Sequence, residues 1–247
     1  MSELNNEEIK EFEDEIRGMF YVIKTQIEMV RDRGYILEDD EEKVLEMTSD
    51  EFTEHYTQEL LVNNELIYDT FKKYYKKADG LGRDLYVYYN NPAGDDGKDV
   101  RVDKIRELVT EITSNGENIV VDIIFIAKSK LNPTASSELY KIPTNVTYFT
   151  FNQLRYNPTK HLLSSKYYVL SPTEKLEFLR ANRINDETRL PQISLDDIIS
   201  LYFGLVSGNV IRVVRPIIFY DSMLTEDVGY RLAVPNIVYS KAKSEAT

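Results

Sequence analysis

The sequence predicts two domains of different fold class. Residues 1–155 are expected to form an α/β domain, a βαβ-type sheet with packed helices, and residues 156–236 a small α+β domain. Strand and helix patterns alternate from residue 84 to residue 151, and within them Ile119–Ala127 is a near-continuous apolar run, typical of a strand buried on both faces. The charge balance and the periodicity both change near residues 155–160, which predicts the boundary. Residues 237–247 are expected to be a polar tail.

Composition and charge exclude several function classes. The chain has 247 residues, of which 42% are hydrophobic and 29% charged, as in a globular protein with a sizeable core. Residues 1–150 carry −14 and residues 151–247 carry +2, and so acidic a surface does not bind nucleic acid by bulk electrostatics. No apolar run approaches the roughly 18 residues of a membrane helix, and the acidic N-terminus is not a signal peptide. The absence of cysteine excludes disulfides, thiolate zinc sites and a cysteine nucleophile.

Helix patterns open the first domain. Residues 6–33 form the longest amphipathic helix, with apolar side chains at steps of three and four residues and Gly34 as the C-cap. Thr48–Glu51 has the pattern of a capping box, which begins a second helix. A weaker helical pattern covers Asp69 to Lys77.

The predicted sheet follows these helices. Three segments have strand character, one has the period of a helix, and two are loops, the second leading into a short helix. In chain order these are the strand Asp84–Tyr89, the loop Asn91–Gly97, the helix Asp103–Ser114, the strand Ile119–Ala127, the loop Lys128–Ser137 and the strand Val146–Phe151.

A strong helix start opens the patterned part of the second domain. Ser171–Glu174 combines a capping box with proline at the first helical position. Leu176, Phe178 and Leu179 are the candidates to face inward from this helix.

A helix, a turn and a strand come next. Ser194 is expected to cap the helix, Asp197 to meet the positive end of its dipole, and Gly204 to end it. Ser207–Asn209 predicts a tight turn. The strand Val210–Arg215 then alternates, with Ile211 and Val213 on one side and Arg212 and Val214 on the other, until Pro216 removes a ladder donor. Phe219–Val228 is a loop or a hairpin, and Gly229–Val234 is the last strand.

No motif predicts a catalytic site. The two histidines, His55 and His161, are far apart and lack the partners of a metal site. The chain has no phosphate-binding Gly-Lys-Ser loop, dinucleotide fingerprint or nucleophile elbow. A metal-dependent nuclease would need an acid two residues before Lys128, where Ile126 stands, and Asp122 lies six residues before it. We therefore expect no catalytic residue, metal or cofactor.

The last third of the chain carries a series of motifs in a specific order. They are Thr159-Lys160-His161, Leu190-Pro191-x-Ile193, Asp197, Tyr202-Phe203-Gly204, Gly208-x-Val210, Arg215-Pro216 and Tyr230-Arg231. This order resembles the fifth common subunit of eukaryotic-type DNA-dependent RNA polymerases, a family whose C-terminal domain stands alone as a small polymerase component in archaea. Two motifs of the first domain are similar to the eukaryotic form or a viral copy of it: Arg31-Asp32-Arg33-Gly34-Tyr35 and Asn132-Pro133-Thr134-Ala135. The archaeal form lacks this domain. Gln192, Ile198 and the segment 217–228 depart from the family pattern.

The resemblance implies a non-catalytic role. The C-terminal domain would dock on the largest polymerase subunit and aid assembly, while the first domain would form a jaw near downstream DNA. The protein would lie in the nucleus or, for a viral copy, in the virion or viral factory. The residues expected to shape the docking surface are His161, Pro191, Asp197, Tyr202, Gly204, Gly208, Arg215, Tyr230 and Arg231. Those expected near DNA are Lys128, Lys130, Asn132 and Thr134.

Simpler interpretations stay open for these residues. Pro191, Gly204 and Gly208 would also suit local turns alone. Arg215 and Arg231 could equally be solvated charges, and the four residues expected near DNA could form a plain solvated loop. At the level of the whole chain, the alternative is a free-standing transcription regulator or interaction protein with the same fold.

Overall fold

The computed structural model describes residues 6–63, 67–80, 83–90, 100–114, 121–132, 135, 138–139, 142, 144–160, 165–218 and 224–235. Contacts divide the chain into two units, Met1–Tyr156 and Asn157–Thr247. Both units mix helices with a four-stranded sheet, so the predicted fold class is confirmed. The predicted loop Asn91–Gly97 and the predicted tail lie outside the described residues.

Four helices open the first unit: α1 (Asn6–Asp32), α2 (Asp39–Glu46), α3 (Ser49–Asn63) and α4 (Ile67–Thr70). The amphipathic pattern of α1 is confirmed, because its apolar stripe is buried and Gly34 follows it with a φ of 78°. The capping box of α3 is also confirmed, since Thr48 and Glu51 exchange hydrogen bonds. The pattern did not predict α2, which is short and begins after Glu38, a residue type that is uncommon at an N-cap.

The helix predicted from Asp69 to Lys77 is wrong. Only α4 is helical there, and Lys73–Tyr75 forms strand β1. The aromatic residues suit a half-buried strand, because Tyr75 is 3% exposed and Tyr74 is 55% exposed, on opposite faces.

The sheet of the first unit has the order β1-β2-β3-β4. Its other strands are β2 (Asp84–Tyr89), β3 (Val121–Ala127) and β4 (Val146–Thr150), which are parallel to one another, while β1 is antiparallel to β2. The central place of β3, with apolar neighbours on both faces, explains its apolar run. Helix α5 (Val102–Ser114) packs on this sheet as predicted, whereas Phe151 belongs to the short helix α6 (Phe151–Leu154) and not to β4.

The sheet of the second unit has the order β5-β7-β8-β6. Its strands are antiparallel except for β8 and β6, which are parallel. In chain order the elements are β5 (Lys166–Val169), α7 (Pro172–Ala181), a short 3-10 turn (Glu187–Arg189), β6 (Gln192–Ser194), α8 (Ile198–Phe203), β7 (Val210–Ile218) and β8 (Leu224–Val234).

Two predictions about side chains in this unit are wrong. Ser194 does not cap a helix, because it ends β6. The pairing of β6 with β8 buries the neighbouring Ile193. Asp197 is the N-cap of α8 instead. Leu176 does not face inward, since it is 54% exposed, and Phe178 instead packs on the ring of Tyr230.

The last two strands are longer than predicted. β7 continues past Pro216 to Ile218, and β8 begins at Leu224, so the hairpin alternative is confirmed. The sheet tolerates Pro216 because, among the described residues, β7 beyond Val214 pairs with β8 alone. The proline nitrogen can therefore face away from β8, where no ladder hydrogen bond is lost.

Candidate docking surface and DNA-facing loop

Three of the predicted docking residues set the backbone around α8. The carboxylate of Asp197 accepts a hydrogen bond from the Ile199 amide at 2.8 Å and so caps the helix. Gly204 ends α8 in the left-handed region with a φ of 61°, and the amide of Leu205 donates to the Ser200 carbonyl at 2.9 Å. Gly208 has a φ of 90° in the turn before β7. Both glycines therefore set local turns, and their contact role stays a prediction.

Tyr202 lies in the core. Its side chain is 0% exposed, and its hydroxyl accepts a hydrogen bond from Asn157 Nδ2 at 3.1 Å. Asn157 in turn accepts from the Thr159 amide and hydroxyl. Tyr202 can therefore support a docking surface only from below. His161, which follows this turn, lies outside the described residues.

The sheet separates the remaining predicted docking residues onto two faces. Arg215 and Arg231 lie at register positions on the face that α8 covers, whereas Tyr230 lies on the opposite face and stacks on Phe178 at 3.8 Å between ring centroids. Arg215 Nη1 is 3.9 Å from Asp227 Oδ2, an exposed cross-strand pair. Pro191 is exposed, and its carbonyl accepts from the Leu232 amide at 2.8 Å.

Two residues outside the predicted set form a further contact in this unit. The guanidinium carbon of Arg212 lies 4.5 Å from the centroid of the Tyr168 ring. Alternation along β7 already predicts that Arg212 points away from the core of α8, but Tyr168 belongs to β5, which the sequence pattern did not reveal.

Lys128, predicted to face DNA, is bound within its own unit. Its ammonium lies 3.0 Å from Glu15 Oε1 on α1 and 5.6 Å from the centroid of the Tyr68 ring, and the Tyr68 hydroxyl donates to the same carboxylate oxygen. Burial raises the pKa of Glu15, but the hydrogen bonds from Tyr68 and Lys128 and the charge of Lys128 outweigh it, so the pKa is lowered. Lys128 is thus paired with a carboxylate of its own unit.

The rest of the predicted DNA-facing loop differs from residue to residue. Asn132 Oδ1 accepts from the Ala135 amide at 2.6 Å and shapes the loop. The carbonyl of Lys130 accepts from Val100, while its side chain is exposed and forms no ion pair with any residue that the structure describes. Thr134 lies outside those residues. Lys130 is therefore the predicted residue with a free charge.

A groove runs beside Lys128 between α1 and α6, with a volume of about 360 Å³. Its lining includes the apolar Met19 and Phe151 and the charged Asp14 and Arg155.

Elsewhere in the unit, Asp122, weighed for nuclease chemistry, is 3.4 Å from Arg83. Within the described ranges, no three side chains of the metal-binding types are grouped to hold an ion, and no helix has the length and apolarity needed to span a bilayer.

Comparisons with known proteins cover most of the chain. The family model "RNA polymerase Rpb5, N-terminal domain" matches residues 13–112, and "RNA polymerase Rpb5, C-terminal domain" matches residues 156–233. DNA-directed RNA polymerase subunit 5-like protein 1 of Arabidopsis thaliana is 30% identical over 92% of this chain and 100% of its own length. Subunit rpabc1 of DNA-directed RNA polymerases I, II and III from Dictyostelium discoideum is 27% identical over 90% and 100%, and RPABC1 of Caenorhabditis elegans is 23% identical over 87% and 95%.

Proposed function

We propose a separate role for each unit, from the premise that this chain belongs to the Rpb5 family of RNA polymerase subunits. The second unit docks on the largest polymerase subunit and aids assembly, and the first forms a jaw near downstream DNA. Neither unit contributes catalytic residues. The observation that carries the proposal is the similarity over the full length of a polymerase subunit, together with motifs that build surfaces and turns.

Charges on the second unit support docking. Arg231 is half-buried at a register position beside the core residue Ile211, and it forms no ion pair with a described residue. Arginine in such a position suits a carboxylate across an interface, because its planar fork binds both oxygens. The exposed Arg215 lies on the same face and its pair with Asp227 is long, so it is available for exchange with a partner.

Charge also defines the role proposed for the first unit. Residues 1–150 carry −14, and Lys128 is paired with Glu15, which leaves Lys130 as the candidate cation of the loop. DNA contact is therefore weak and depends on the basic surfaces of other subunits. A nuclear location, or a viral factory for a viral copy, belongs to the same proposal.

Co-purification tests the proposed function. A tagged chain expressed in its native cells should recover the two largest polymerase subunits in equal molar amount and retain them at moderate salt. Recovery as a free monomer would refute the proposal. Substoichiometric recovery that is lost at moderate salt would instead indicate a regulator that visits the polymerase.

A further inference from the structure

We propose that Arg212, resting on Tyr168, is a recognition site for a carboxylate side chain of a neighbouring polymerase subunit. The inference rests on the proposed function, because it names the chemistry that the docking partner presents. It concerns the sheet face opposite α8, where the sequence motifs assign no contact role to Arg212 or Tyr168.

A row of three side chains crosses the sheet at this point. Tyr168 on β5 is directly opposite Arg212 on β7, and Arg212 is directly opposite Tyr230 on β8. Cross-strand partners share a face, so the cation lies between two tyrosines. The guanidinium is 4.5 Å from the Tyr168 ring, and Phe178 of α7 stacks on Tyr230 at an interplanar angle of 22°. Stacking fixes the guanidinium before any ligand arrives.

Arg212 has a shielded donor without an acceptor. Its Nε is shielded from solvent and makes no hydrogen bond within the described part of the chain, and no ion pair there includes the residue. The carboxylate of Glu174, whose pKa is lowered first by hydrogen bonds from Ser171 and in smaller part by Arg212, is engaged with the Ser171 amide at 2.8 Å. A guanidinium offers five donors, and leaving a shielded donor such as Nε unsatisfied is unfavourable, so the site is suited to an external acceptor.

The surroundings of Arg212 indicate a protein acceptor. On this face, Tyr168, opposite Arg212, is 44% exposed, and Val228, nearer the hairpin end, is 49% exposed. Val214, the partner of Val228, is buried, and Val210, at the other end, is fully covered. The neighbouring cation Lys166 already pairs with Glu226 at 4.0 Å. Phosphate backbones need clustered positive charge, which this patch lacks. One fixed guanidinium within exposed apolar surface instead fits an acidic residue flanked by apolar ones.

Binding of the full-length chain to the largest polymerase subunit tests this inference. Arg212→Gln should weaken binding by about thirtyfold or more, because it removes one member of a shielded charge pair. Arg212→Lys should give an intermediate loss, since it keeps the charge but not the planar fork. Arg180→Gln is the matched control, because it removes the same charge from an exposed position on α7, and it should leave binding unchanged.

Each other result has a distinct meaning. If the unmodified chain does not bind, the proposed function fails and the inference falls with it. If the unmodified chain and Arg212→Gln bind equally well, the inference alone is overturned. It is also overturned if Arg212→Gln lowers the melting temperature of the isolated chain strongly, because the acceptor would then be internal. Loss of duplex DNA binding in place of subunit binding would overturn it in favour of a phosphate.

Discussion

Arg183 and Gly204 end two helices of the second unit with the same backbone geometry. Arg183 has a φ of 55° and Gly204 a φ of 61°, and after each of them an amide donates back to a carbonyl of the last helical turn at 2.9 Å. These are Schellman motifs, which favour glycine because the left-handed conformation crowds a Cβ atom. The helix that ends in Arg183 is therefore less stable than it would be with glycine at this position.

Replacing Arg183 by glycine should stabilise the protein. We expect Arg183→Gly to raise the free energy of unfolding by about 0.5–1 kcal/mol, since relief of the left-handed strain exceeds the added freedom of the unfolded chain. Urea unfolding followed by circular dichroism measures the change. The reciprocal control, Gly204→Ala, should lower the free energy of unfolding by about 1 kcal/mol. A loss of stability in Arg183→Gly would contradict the explanation.

The pair of Lys128 and Glu15 gives a second residue-level prediction. Lys128→Gln should lower the free energy of unfolding at neutral pH by up to about 1 kcal/mol, because both groups are partly exposed and screened. Lys130→Gln should have no effect on stability.

The pH dependence of this loss has a definite sign. The pKa of Glu15 is lowered in the folded state from its ordinary 4.5, so its stabilisation is present above pH 4.5 and is lost as the pH falls through the folded pKa. The difference between Lys128→Gln and the unmodified chain should therefore shrink on acidification below that value. A difference that stayed constant into strong acid would exclude the ion pair as its cause.

At the scale of elements, α2 and the sheet are joined by a chain of buried polar groups. Tyr75 of β1 donates to Glu41 of α2 and accepts from Gln26 of α1 at 3.3 Å, and Tyr89 of β2 donates to Gln26 at 3.2 Å. Glu41 is only 5% exposed and lies 3.5 Å from Lys73. Four elements of the first unit therefore depend on phenol groups that stay protonated.

Alkaline unfolding tests this dependence. Burial raises the pKa of Tyr75 and Tyr89 above the ordinary 10, and burial followed by nearby carboxylates raises the pKa of Tyr56 to about 12. A raised folded pKa means that the stabilisation is complete below about pH 10 and is lost as the pH rises further. We expect tyrosinate absorbance and loss of circular dichroism to rise together above that pH.

Two variants sharpen the alkaline experiment. Tyr75→Phe should make the alkaline loss of stability shallower, because one coupled proton is removed. Tyr156→Phe, at a position that is 79% exposed, should leave it unchanged. Ionisation of the buried tyrosines with no loss of structure would refute the coupling.

At the scale of the whole molecule, net charge governs what the free chain can bind. With a net charge of −12, the isolated protein should bind duplex DNA more weakly than about 10⁻⁴ M at physiological salt. Fluorescence anisotropy with a short duplex measures this affinity. Micromolar binding by the free chain would contradict the expectation that DNA contact depends on the rest of the polymerase.

Sequence patterns predicted the parts of this fold that depend on neighbours in the chain. The apolar run of β3, the capping box of α7 and the turn at Gly208 are local features and are confirmed. β1, β5 and β6 are only three or four residues long, and each becomes a strand through a partner elsewhere in the chain.

The same division holds for the candidate site. Local patterns identified Gly204 and Asp197, which form the ends of α8. Three contacts of this site join residues at least 44 positions apart, which only strand register and helix packing bring close. They are the hydrogen bond from Asn157 to Tyr202, the pair of Lys128 and Glu15, and the contact between Arg212 and Tyr168.

Pro216 has a consequence for the subunit before it meets any partner. It lies where β7 pairs with β8 alone among the described residues, next to isoleucines that favour strand formation. Because proline has no amide hydrogen, a second molecule cannot build a continuous ladder along this stretch. Copies of the unassembled subunit are thereby hindered from pairing edge to edge along β7. Newly made protein is protected from aggregation through this strand edge before it joins the polymerase.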